Sequence, residues 1–158
     1  MSEPSASSEP GSITCTMLPI QARTLLVPLA NIAEMAAVAP IFPDNSGPNW
    51  FLGYYNWRNQ RVPLISFERL VTGQGGGINP NGRIAVFNNT GVHGDVTFIA
   101  IPTQGIPRQV SLNAEDIQRL EQMTSTHFEM MYVRVGTEEM TIPDISAIER
   151  AYCSYRKI

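Results

Sequence analysis

An all-β domain with minor helix is the fold class this chain of 158 residues predicts, on three observations. Short runs rich in β-branched and aromatic residues recur with turn signals at close intervals, the pattern of a barrel or sandwich. Residues 50–70 hold two such runs meeting at the polar stretch Arg58, Asn59, Gln60, Arg61, which reads as a hairpin. The one Ala-rich segment, residues 29–39, is bounded by Pro28 and Pro40, which leave no room for a long helix. The length is that of one domain, able to bury roughly 70% of its unfolded surface.

Taken in order, residues 1–11 are too polar to join a core and are expected to form a flexible tail. Residues 12–28 read as strands, with Pro19 and Pro28 at edges or turns. Residues 29–39 are ambiguous, because Leu29, Ile32 and Ala36 sit at helical spacing. Residues 43–48 form a loop on composition, and after the hairpin the glycine-rich stretch 72–82 is expected to be mobile. Residues 83–88 and 96–101 read as strands joined by a turn through 88–91. Asn113 is placed to cap a helix over 114–123, where Ile117, Leu120 and Met123 recur every three residues. Residues 130–135 suggest a strand, Gly136 a turn, and residues 143–155 a terminal helix with Ile145, Ile148 and Tyr152 on its apolar face. No internal repeat is visible.

Composition limits the partners. Hydrophobic content of 43%, charged content of 16% and a net charge of −3 describe ordinary globular material with no broad basic field for nucleic acid or an anionic membrane. Residues 1–12 offer neither a basic start nor an apolar core of a signal peptide, and no stretch approaches a membrane span. The expected location is the cytoplasm, with Cys15 and Cys153 as free thiols.

Few residues suggest chemistry. Cys15, Cys153, His93 and His127 are too scattered for a structural zinc site, which favours closely spaced pairs. Gly73, Gly75, Gly76 and Gly77 imitate a phosphate cradle but lack the Lys and Ser/Thr that would complete it. No metal, cofactor or nucleotide site is expected. Trp50, Phe51, Tyr54, Tyr55 and Trp57 are a stacking platform in outline, yet only Arg58 and Arg61 lie close by, so about half of them should be core and at least one exposed. Glu34 interrupts the otherwise uncharged run 29–42, and a carboxylate there must be exposed or paired.

Three motifs give these features a common frame: Ile32-Ala33-Glu34-Met35, Gly53 to Asn59 with Asn56 and Arg58, and Val62-Pro63-Leu64-Ile65-Ser66-Phe67. Together they resemble the signature of the CheW-like coupling domain of bacterial chemosensory systems, and within it most nearly the ChpC-like auxiliary couplers of type IV pilus systems. The resemblance covers most of residues 14–155, with its specific part at 26–70; the second half, with Ile101 to Ile106, matches loosely, and Asn59 replaces the usual Gly.

The resemblance implies two SH3-like five-stranded β-barrels packed around a shared core. The division would be a tail over 1–11 and a single domain over 12–158, with a first barrel at about 12–78 and a second barrel plus C-terminal helix at 79–158, exchange of strands between them left open. It implies a short helical turn and then a strand through Glu34. It implies a non-enzymatic adaptor that couples a chemoreceptor tip to the regulatory domain of a CheA-type histidine kinase, with other CheW-like domains as further partners. Ile32, Glu34, Gly53 and Arg58 would carry partner contact. Two rival readings stand beside it: a small nucleic-acid-binding β-barrel, and behind that a Cys-dependent enzyme using Cys153 or Cys15.

Overall fold

The computed structural model of the protein describes residues 11–157, so the tail expected over 1–11 lies outside the described residues save for Gly11. Twelve strands and two α-helices follow one another: β1 (Ile13–Ile20), β2 (Arg23–Pro28), β3 (Ile32–Ala36), β4 (Phe42–Pro43), β5 (Phe51–Trp57), β6 (Gln60–Ile65), α1 (Phe67–Thr72), β7 (Ile84–Asn88), β8 (Phe98–Pro102), β9 (Arg108–Leu112), β10 (Ile117–Arg119), β11 (Glu129–Val135), β12 (Glu138–Pro143) and α2 (Ile145–Arg156). They form two six-stranded sheets, ordered β10-β11-β12-β2-β1-β9 and β3-β7-β8-β6-β5-β4. The sixth strand in each is short: β4 has two residues and β10 three.

Each sheet repeats one plan that the amino-acid sequence hides. A hairpin leads into a helix, β5-β6-α1 and β11-β12-α2, and the second hairpin strand then pairs in parallel with a strand from elsewhere. Those parallel contacts are Leu64 with Ala100 and Thr141 with Leu25. Both helices start on a side-chain cap: Ser66 Oγ accepts the Arg69 N–H at 3.2 Å, and Asp144 Oδ1 accepts the Ala147 N–H at 3.1 Å. A cut at 78/79 would divide both sheets, because β1 and β2 pair with the C-terminal strands while β7 and β8 pair with β3 to β6.

Three cores explain why the strands read as continuous apolar runs. Leu18, Leu25, Val27, Phe51, Ile65, Phe87, Ile99 and Ile101 meet between the sheets, with Ile148 and Tyr152 of α2 packed among them. The opposite faces of the same strands fill separate interiors, Tyr55, Trp57, Val62, Leu64 and Val86 in one sheet and Met17, Leu26, Val133 and Met140 in the other. A strand buried on both faces shows no polar alternation.

Several expected elements are revised. Residues 114–123 are not a helix: Ala114–Asp116 make one 3-10 turn and Ile117–Arg119 pair with β11. The Asp116 carboxylate folds back to accept the Asn113 N–H at 2.7 Å, and the β11 ladder then claims the backbone that a helix would need. The hairpin run ends at Ile65 and continues as α1, capped by Ser66. Pro143 closes β12 rather than opening α2, and Val96 is buried in a loop ahead of β8. Residues 29–39 resolve as a 3-10 turn, Leu29–Asn31, followed by β3. The glycine-rich stretch is tied down, with the Gly76 N–H on Gln21 Oε1 at 2.9 Å and the Gly77 carbonyl accepting from Gln104 Nε2 at 2.7 Å.

Candidate functional site

The β5–β6 turn is made by two residues only, Arg58 at φ 50° and Asn59 at φ 62°. Positive φ at both central positions is the primed hairpin turn, whose twist matches the flanking strands. Asn59 thus supplies the conformation that a Gly would supply, while Arg58 is held where few arginines sit. The turn closes on the pair Trp57 and Gln60. Trp57 lies inside the sheet, 8% exposed, with its ring edge-on to Phe98 at 4.7 Å.

On β3 the pairing register with β7 shifts between Ile32 and Glu34. Ile32 and Met35 pack toward the shared core, whereas Ala33 and Ala36 face the interior holding Trp57. The apolar spacing across this bulge is therefore three, which is why the segment reads as helical in the sequence. The bulge releases Glu34 from the alternation and brings its carboxylate to the hairpin turn.

There Glu34 Oε1 accepts two bonds, from Trp57 Nε1 at 2.9 Å and from Arg58 Nη2 at 3.1 Å. The Arg58 guanidinium also lies 5.0 Å from the centre of the Trp57 ring. The Trp57 indole and then Arg58 hold the Glu34 carboxyl below its usual range. The pair is open to solvent, with 68% of the Arg58 side chain and 41% of the Glu34 side chain exposed. By itself such a pair adds little stability, so its value is in placing two opposite charges on a surface.

Of the four residues singled out from the sequence, Ile32, Glu34 and Arg58 are accessible at least in part, Ile32 being half-buried. Gly53 stands apart from them. It is buried at φ 130°, pairs with Pro43, and a Cβ there would sit 2.1 Å from the Phe42 carbonyl oxygen. The missing side chain lets β4 pair closely alongside β5. On this edge strand Phe42 is 46% exposed, with Arg61 stacked 4.4 Å over its ring. Phe42 is not singled out by the sequence, and Trp57 is read there only as one of the aromatic cluster. The in-out alternation of Tyr55, Trp57, Val62 and Leu64 around the turn was the signal for Trp57.

The aromatic cluster does not form a stacking platform. Phe51, Tyr55 and Trp57 are buried and Trp50 and Tyr54 half-buried, so no member is exposed as expected. Tyr54 donates or accepts across a 2.8 Å hydroxyl contact with Tyr152, and Trp50 packs edge-on to Tyr155. These rings are spent fastening α2 to β5. Burial pushes both thiols up, Cys153 further so through Asp95 and Glu149, opposite to the shift a nucleophilic thiol needs. Cys15 and Cys153 also lie in different cores. Among the described residues no three His, Cys, Asp or Glu side chains are grouped to hold a metal, and no helix is long and apolar enough to cross a membrane. Within the glycine-rich loop Gly76 lies against Glu68, whose Oε1 would sit 2.3 Å from a Cβ there.

Comparison with known proteins bears on this geometry. Residues 14–151 match the profile of a family described as the CheW-like domain. No curated protein sequence matches the chain. Among solved structures, the scaffolding protein TtCheW from Thermoanaerobacter tengcongensis is similar, with a TM-score of 0.72 at 12% identity over 87% of this chain and 87% of that one. At that identity the likeness is one of fold.

Proposed function

The chain belongs to the CheW-like domain family, and on that premise we propose that it is a non-enzymatic adaptor of a bacterial chemosensory system. It couples the cytoplasmic tip of a chemoreceptor to the regulatory domain of a CheA-type histidine kinase, and it works in the cytoplasm at receptor arrays. The motifs of residues 26–70 support a type IV pilus system that drives twitching motility, with a ChpC-like auxiliary coupler as the nearest kind of relative.

The observation that carries this reading is the exposed Glu34–Arg58 pair, held at 3.1 Å between β3 and the β5–β6 turn, with half-buried Ile32 on the same strand as Glu34. Arginine is enriched at binding hot spots because its planar fork pairs with carboxylates while its stem packs. Gly53 contributes through shape, by seating β4 and Phe42 at the margin of the same hairpin.

Titration of the purified chain against a CheA-type regulatory domain and a receptor-tip fragment tests the reading. Micromolar binding to both, on the order expected of modest interfaces, is the expected result. Binding to neither fragment would remove it.

A further inference from the structure

Both bonds to the Glu34 carboxylate land on one oxygen, and that asymmetry has chemical content. Oε1 receives the Trp57 indole N–H and the Arg58 guanidinium, while Oε2 accepts no hydrogen bond from the described residues. A carboxylate gripped on one side presents its other oxygen in a fixed direction. Trp57 is suited to do the gripping. Its ring is buried against Phe98, so the N–H cannot swing away, and its face carries the Arg58 guanidinium.

We propose that Trp57 is the positioning residue of this surface, fixing Glu34 so that Oε2 receives a hydrogen-bond donor, a lysine, arginine or amide N–H, from the bound partner. The inference rests on the adaptor reading above and deepens it. Arg58 then turns its unused N–H groups to an acceptor on the partner, so the partner must offer a donor and an acceptor side by side. A partner with two acidic groups is rejected, because one of them would face Oε2. The indole bond, which does most to hold the Glu34 carboxyl below its usual range, favours the ionised acceptor. The other ionisable groups that face it are Arg58 and Tyr55.

The test has two independent arms. The chain carries two tryptophans, so the unmodified protein should show two indole N–H resonances. The Trp57 resonance should follow the protonation of Glu34 on acid titration while that of Trp50 does not. A Trp57 resonance that ignores this titration overturns the proposal without reference to any partner. In the second arm Trp57→Phe keeps an aromatic ring against Phe98 but removes the N–H. Provided the variant unfolds like the parent, it should raise the Glu34 pKa and weaken binding to the receptor-tip or kinase fragment by roughly tenfold, the loss of one charge-assisted hydrogen bond. Unchanged binding by Trp57→Phe, in a protein whose Arg58→Glu variant does not bind, overturns the positioning role and leaves the adaptor reading standing. Absence of binding by the unmodified protein overturns the adaptor reading, and the resonance titration still decides whether Trp57 holds Glu34.

Discussion

Thr90 gives both of its donors to the buried carboxylate of Glu149, the backbone N–H at 2.9 Å and the hydroxyl at 2.6 Å. The contact joins the loop between β7 and β8 to α2, and Glu149 is 0% exposed. A buried carboxylate is tolerated only when its oxygens are satisfied. Thr90→Val keeps the shape and removes one of the two donors. It should destabilise the fold by about 1–3 kcal/mol, the cost of stranding a buried acceptor. Denaturant unfolding reads the change, and a shift near zero would mean that water replaces the hydroxyl.

Glu129 is a second buried carboxylate, 3% exposed. Its carboxylate accepts from Arg23 Nη1, from Ser125 through N–H and hydroxyl at 3.1 and 2.8 Å, and from the Tyr132 hydroxyl at 3.1 Å. Burial raises its pKa, but the bonds from Ser125, Arg23 and Tyr132 outweigh burial and leave it lowered. The lowered folded value means stability that is full above the unfolded carboxylate pKa of about 4.3 and is lost as pH falls through the folded one. Glu129→Gln should therefore cost about 2–3 kcal/mol at neutral pH, less than a fully buried pair because Arg23 keeps 27% of its side-chain surface. The gap from the parent should narrow steadily in acid. Parallel unfolding curves for the two proteins from pH 7 to 3 would contradict this.

Gly53→Ala should lower stability by more than 1 kcal/mol, since φ 130° and a backbone oxygen 2.1 Å from the new Cβ leave nothing flexible to move. The expected structural effect is release of β4, seen as faster amide exchange at Tyr54, whose strand partner is Phe42. Retained protection there would show that β4 adjusts without leaving the sheet.

Arg58→Glu and Glu34→Arg should each leave the melting temperature within about 2 °C of the parent, as exposed substitutions do. Binding to the kinase or receptor fragment should fall by about thirtyfold if the pair is an interface anchor. Calorimetric titration beside thermal unfolding separates the outcomes. Full binding by both folded variants would take this surface out of the interface, and loss of folding would show the pair to be structural.

Local chemistry made much of this protein legible in its residues. Hairpin β5–β6, the turn that needed Asn59 at positive φ, the apolar face of α2 and the exposed charges of Glu34 and Arg58 all follow from side chains within a few positions of one another. So did the strand character of β1, β2, β7 and β11. Long-range pairing decided the rest. Residues 114–123 had helical spacing, but β11 offered Ile117–Arg119 a ladder. The three-residue period on β3 came from a bulge set by β7. The parallel contacts that draw β2 to β12 and β8 to β6, and with them the repeated plan of the two sheets, join residues far apart in the chain. The close pairing of β4 beside Gly53 likewise joins residues that the sequence keeps apart. Trp57 looked like one more core aromatic until the fold brought Glu34, 23 residues away, to its indole N–H. Periodicity reports what a residue needs from its neighbours, whereas register and crossing decide which distant group supplies it.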